Sequence, residues 1–177
     1  PTLSATTLAE SCYNEMFNGC KNLKSAPTLS ATTLAESCYS GMFNGCTSLE
    51  SAPKLPAETL AEDCYCYMFS NCTSLKSAPT LSATTLAKGC YRGMFYGCTI
   101  LTSVTMLAPK DQITSKEDCC YDWLEDAGTK EGISRTLKVT DVDAYDALAN
   151  NPDYLPDNWK KDAVGTTVQN ASNNPIK

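Results

Sequence analysis

The sequence predicts an α/β fold: a right-handed solenoid of short parallel concave strands and convex helices, closed by a C-terminal α/β cap. Three observations predict it. One phrase recurs four times at a spacing of 26 residues: Cys12-Tyr13, Cys38-Tyr39, Cys64-Tyr65 and Cys90-Tyr91, each followed by Met-Phe and then by a further cysteine, Cys20, Cys46, Cys72 or Cys98. Self-similarity at a fixed period in this range is the signature of stacked repeat units. Within each copy a leucine-centred extended run precedes an apolar stripe of helical spacing. Beyond Pro109 the phrase fades and the composition turns acidic.

The copy from Leu49 to Ser74 shows the reasoning for each element. Leu49-Glu50-Ser51-Ala52 reads as a short strand, and Pro53 ends it by removing a ladder N–H. Thr59-Leu60-Ala61-Glu62 has the spacing of a helix capping box, as do Thr7…Glu10 and Thr33…Glu36. The fourth copy carries Lys88 in the glutamate position, which puts a cation at the positive end of the expected helix. Leu60, Cys64, Met68 and Cys72 recur every four residues and predict one buried helix face. Gly19, Gly45 and Gly97, with Asn71 in the third copy, are read as helix stops. Strands stack about 4.8 Å apart and helices about 8–10 Å apart. Units of this kind should therefore curve, strands inside and helices outside.

The phrase Met42-Phe43-Asn44-Gly45-Cys46-Thr47-Ser48-Leu49 resembles the A-F-x-G-C-x-x-L signature of BspA-like leucine-rich repeats, found in cell-surface proteins of gut and oral bacteria. The resemblance runs from Pro1 to about Pro109, and the 26-residue form looks like one subtype of the family. The stretch around Cys120, Trp123-Leu124 and Leu155–Trp159 looks like the closing segment of such proteins. The resemblance implies export, often as a lipoprotein, and roles in adhesion or host-protein binding. The expected organisation is an array over 1–108, a capping unit over 109–162 and a tail over 163–177. Pro1 aligns with Pro27, Pro53 and Pro79, so the chain is expected to begin inside a copy, with a targeting segment upstream.

In the capping unit, Ser115 should open a helix running to Ala127, with Gly128 as its stop. Thr136–Val139 alternates as a strand, and Asp141 caps a second helix through Ala149. Cys120-Tyr121 echoes the repeat phrase, with Trp123-Leu124 in the Met-Phe position and Cys119 facing outward. After Lys161 the polar composition predicts a loose tail.

Composition narrows the function. Of 14 basic and 20 acidic residues, most of the excess lies beyond Pro109, and the net charge is −6. Nucleic acid, whose affinity rests on Lys and Arg at phosphates, is not an expected partner. No apolar run reaches the roughly 20 residues of a membrane-spanning helix. The chain has no histidine, so Ser-His-Asp and Cys-His chemistry are unavailable. No glycine-rich phosphate loop is present, Glu125 and Asp126 read as a solvated pair of acids, and nothing requires a cofactor. The expectation is a non-enzyme.

The eleven cysteines need an account. In a helix, Cys12 and Cys20 would lie about 12 Å apart, beyond the roughly 7 Å a disulfide tolerates. Without histidine or a Cys-x-x-Cys pair, zinc has little to hold it. The two columns Cys12/38/64/90 and Cys20/46/72/98 therefore read as free, buried thiols used for packing. Cys66 stands where other copies have Asn14, Ser40 and Arg92, and is expected to be an exposed thiol.

The candidate binding face is the concave one: Lys24, Glu50, Lys76 and Thr102, with Ser51 and Ser77 beside them. Its simplest reading is a cross-strand charge ladder. The tyrosine column reads as packing between copies. The expected function is a module for protein or glycan recognition or adhesion on a bacterial surface, engaging a host or neighbouring-cell protein or glycan. The alternative is a structural spacer within a longer surface protein.

Overall fold

The computed structural model describes residues 2–176; Pro1, with its alignment to the repeat prolines, lies outside them. The elements are β1 (Thr2–Leu3), β2 (Thr28–Leu29), β3 (Ser103–Met106), α1 (Lys110–Ser115), β4 (Arg135–Val139), α2 (Val142–Ala149) and β5 (Thr166–Gln169), with a short 3-10 turn at Asp157–Trp159. They form two parallel sheets, β1-β2 and β3-β4-β5. The expected solenoid of concave strands and convex helices is overturned. Among the described residues there are two α-helices, both beyond Pro109, and before Ser103 only two strands, of two residues each. The protein is a small α/β fold built largely from turns.

The residues expected to be helical form a ribbon of linked β-turns. Every fourth residue has a positive φ: Ser11, Glu15 and Gly19; Ser37, Gly41 and Gly45; Asp63, Tyr67 and Asn71; Gly89, Gly93 and Gly97. A left-handed residue at each fourth position breaks an α-helix before it completes a turn. The hydrogen bonds show what replaces it. In the second phrase Ser40, Met42, Asn44 and Cys46 donate to the carbonyls three residues back, closing turns. The alternate N–H groups of Ser37, Tyr39, Gly41, Phe43 and Gly45 point the other way. They donate to Glu62, Cys64, Cys66, Met68 and Ser70 carbonyls of the next phrase at 2.8–3.0 Å. Each backbone donor of the ribbon thus finds a partner without a helix or a regular sheet.

The capping boxes do not form either. Thr7 pairs with Thr33 and Thr59 with Thr85 as parallel bridges, so these threonines sit in extended backbone and cap nothing. Lys88 lies instead between Glu62 (3.9 Å) and Glu117 (3.3 Å) on the surface.

The side chains between phrases make the core. Tyr13, Tyr39, Tyr65 and Tyr91 stack face to face at 5.6–6.3 Å. Phe17, Phe43, Phe69 and Phe95 do the same at 5.6–5.8 Å. The thiols of Cys46, Cys72 and Cys98 donate to the carbonyls of Phe17, Phe43 and Phe69 in the preceding phrase. A cysteine here fills a small apolar space and supplies a weak donor. Cys12 and Cys20 depart from expectation: both are exposed, because no earlier phrase lies over them in the structure.

Beyond Pro109, α2 forms where expected, and the Asp141 carboxylate accepts from the Ala144 N–H at its start. The helix expected over 115–127 is replaced by α1 and a fifth turn ribbon with positive φ at Asp118, Asp122 and Asp126. Its register also differs from the sequence echo. Tyr91 donates to Cys119 O and Phe95 to Trp123 O, so Cys119 takes the cysteine column and Cys120 the tyrosine column. Cys119 is accordingly buried and does not face outward. The expected loose tail contains β5, paired in parallel with β4, and Ile176 donates to Val168 O. Arg135 joins this unit to the ribbons: its guanidinium donates to the carbonyls of Gly128, Asn158 and Val164, each at 2.8 Å.

Candidate functional site

The turn ribbons present an outer face whose residues differ from copy to copy, while the inner columns repeat. On this face a hollow is lined by Asn44, Tyr67, Ser70, Asn71, Tyr96 and Asp122. Its centre is Tyr67, which is well exposed although it is an aromatic residue. The second and fourth copies have Gly41 and Gly93 at this position. Tyr67 holds φ of 52°, a conformation that a bulky residue adopts only at a cost of about 1–2 kcal/mol.

The neighbouring phrase makes room for these side chains. A Cβ on Gly93 would lie 2.1 Å from the Tyr67 ring, and one on Gly97 would lie 2.5 Å from Asn71 Oδ1. The absence of side chains at Gly93 and Gly97 therefore lets the ring and the amide lie flat over the next ribbon. The Asn71 amide donates to Ser70 Oγ at 3.1 Å, which fixes its orientation. Backbone bonds from Tyr67 to Arg92 O (2.7 Å) and from Asn71 to Tyr96 O (2.6 Å) hold both residues against the fourth phrase. The site is thus carried on backbone joined at each alternate residue.

The electrostatics are mixed. Burial raises the Asp122 carboxyl above its usual range, the nearby Asp153 raises it further, and Arg92 opposes both. Arg92 itself pairs with Asp118 at 2.6 Å. Glu125 is raised by burial and by the charges of Asp126 and Asp122. Burial also raises the Tyr67 hydroxyl.

Cys66, expected to be exposed, is buried at 8% exposure. Ser40 Oγ donates to the Cys66 carbonyl, and Asp63 and Arg92 lie close by. The position is covered by the phrases on either side, as it is in part at Ser40 and Arg92, whereas Asn14 lies in the first copy with no earlier phrase over it. Burial, with the Asp63 charge, pushes this thiol up to about 11.

The strand-side row lies together as a surface. Glu50 N–H donates to Lys24 O, Thr102 N–H to Lys76 O, and Ser103 Oγ to Ser77 Oγ. Ser25 bridges Ser51. Lys24, Glu50, Lys76, Ser51 and Ser77 are exposed and Thr102 is half-buried. No ion pair among the described residues joins Lys24, Glu50 and Lys76, so the expected charge ladder does not form. This row brings no aromatic residue together with its polar groups.

Sequence reasoning missed the Tyr67 hollow because it placed these residues on a helix. A signal was present: Tyr67 is an aromatic at a position that is glycine in two other copies. Among the described residues no cluster of His, Cys, Asp or Glu is arranged to hold a metal ion. No family model, no curated protein and no solved structure matches this chain.

Proposed function

We propose that the chain is a non-enzymatic recognition module of a bacterial cell-surface protein, and that it engages its ligand through the Tyr67 hollow. One observation carries this reading: nearly identical copies depart from one another around an exposed tyrosine held in a left-handed conformation. The left-handed backbone is the ribbon's own, shared at every fourth residue; what sets Tyr67 apart is an exposed aromatic side chain where two other copies have glycine. The placement on a bacterial surface rests on the resemblance of the repeated phrase to BspA-like proteins. A spacer is the second reading, favoured by the uninterrupted tyrosine and phenylalanine stacks, which serve rigidity alone.

The two readings separate in a binding screen of the whole chain against extracellular-matrix proteins and glycans, repeated with Tyr67→Gly. The recognition reading expects a ligand with Kd below about 1 mM that the substitution weakens at least tenfold. Failure to bind any of them more tightly would leave the spacer.

A further inference from the structure

We infer that the hollow is a sugar subsite, taking a neutral pyranose ring of a glycan chain through Tyr67, Asn71 and Asp122. The inference rests on the recognition reading above and names its ligand class. The chemistry of the lining sets the class. Tyr67 and Tyr96 offer aromatic rings, and the negative face of such a ring attracts the C–H groups of a sugar's apolar side. Asn44 and Asn71 provide amides that donate and accept at once, and Asp122 provides an acceptor pair. That combination matches adjacent hydroxyls, each of which is itself donor and acceptor.

Charge argues for a neutral ligand. The acids near the hollow are opposed by Arg92, which lies close enough to Asp122 to affect its titration and is paired with Asp118. An anionic ligand meets no unpaired cation there, since Arg92 is held by Asp118, and the rings and amides of the lining need no charged partner. Size argues against a protein. A stable protein interface involves about 20–30 residues a side, whereas six residues line this hollow. Of the Trp, Tyr and Arg anchors that dominate such interfaces, its lining has tyrosine alone. The pre-set geometry also suits a weak, repeated contact. Ring and amide are already fixed by Gly93, Gly97 and Ser70, so little side-chain freedom is lost on binding.

The substitutions that test this are supplied by the other copies. Tyr67→Gly and Asn71→Gly restore the residues found at Gly41 and Gly45, and both relieve a left-handed non-glycine residue. Each variant should keep its thermal midpoint or raise it. Amide chemical shifts would be followed while the whole chain is titrated with galactose, mannose, N-acetylglucosamine and their disaccharides, alongside an array of neutral, sialylated and sulfated glycans. The expected result is a neutral sugar binding at about 0.1–1 mM, shifting amides around Tyr67 and Asn71. Its affinity should be insensitive to added salt and fall at least tenfold in either variant. Sugar binding unchanged by both substitutions would overturn the subsite, as would exclusive binding of sulfated or sialylated glycans. A protein ligand lost with Tyr67→Gly, in the absence of any bound glycan, would overturn the sugar assignment and leave the recognition reading standing. No ligand of either kind would remove both.

Discussion

Cysteine in this protein is a packing residue with a donor, and its reactivity should follow its cover. Burial pushes the Cys38 and Cys46 thiols up to about 11, and those of Cys90 and Cys98 to about 12. A thiolate is the reactive form, so a raised pKa and a closed path act together. Cys119 runs the other way: its hydrogen bond with Cys120 lowers it, burial opposes, and Tyr154 lowers it further. It remains fully buried, so access still protects it. A neutral alkylating reagent applied to the native chain should therefore label Cys12 and Cys20, the two exposed thiols, and spare the other nine until the chain is unfolded. Peptide mapping by mass spectrometry reads the result. Fast labelling of Cys66 would show that its cover is incomplete and that the exposed assignment drawn from its polar equivalents was right.

At the scale of the element, the turn ribbon owes its position to the ring stacks. Phe69 lies between Phe43 at 5.6 Å and Phe95 at 5.8 Å, nearly parallel to both. Phe17 is half-buried and stacks on one side, against Phe43. Truncating a buried phenylalanine costs about 3–5 kcal/mol through lost transfer energy and the cavity left behind. Phe69→Ala should reach that range in urea denaturation, and Phe17→Ala should cost less than half as much. Equal losses would mean that stacking between copies is not what secures the ribbon. The phenylalanine and tyrosine columns were legible because a residue that recurs at one position of each copy meets itself when copies lie side by side. The ribbon's backbone was not. Leu60, Cys64, Met68 and Cys72 fit a helical stripe, yet Gly89, Gly93 and Gly97 recur at the same spacing of four. Three glycines inside one helix would cost roughly 1 kcal/mol each. Only Gly97 reads as a helix stop, yet all three have positive φ. The strand β4 and the helix α2 were legible because alternation and an Asp cap are local signals. The register of Cys119 was not, because it depends on which phrase lies opposite. The hollow at Tyr67 was hidden for the same reason: Tyr96 and Asp122 reach it from phrases whose register against Tyr67 depends on which lies opposite.

For the whole molecule, the stacked thiols and tyrosines make stability depend on alkaline pH. Burial favours the neutral form of each group, so the folded pKa is raised above the unfolded one. Cys38, Cys46 and Cys66 move from 9.0 to about 11, and Cys64, Cys72, Cys90 and Cys98 are also raised. Below the unfolded pKa, near 9, both states hold their protons and the full stability is present. Above it the unfolded chain releases protons that the folded chain retains, so the balance tilts toward unfolding until the folded groups titrate. Each such thiol contributes up to about 1.4 kcal/mol per pH unit. Seven acting together would remove roughly 10 kcal/mol per unit once the unfolded thiols are ionised, comparable with the 5–15 kcal/mol that holds a typical domain together. Tyr39, Tyr65 and Tyr91, also raised by burial, add to the slope above about pH 10. The chain should therefore unfold cooperatively between about pH 9 and pH 11, with circular dichroism and tyrosinate absorbance changing together. Cys64→Ala and Cys72→Ala each remove one titrating group, and relative to its own stability at pH 7 each variant should lose less between pH 7 and pH 10 than the parent. A fold that persists unchanged to about pH 12 would show that solvent reaches these columns and that they are not the closed interior that the stacked rings and free thiols describe.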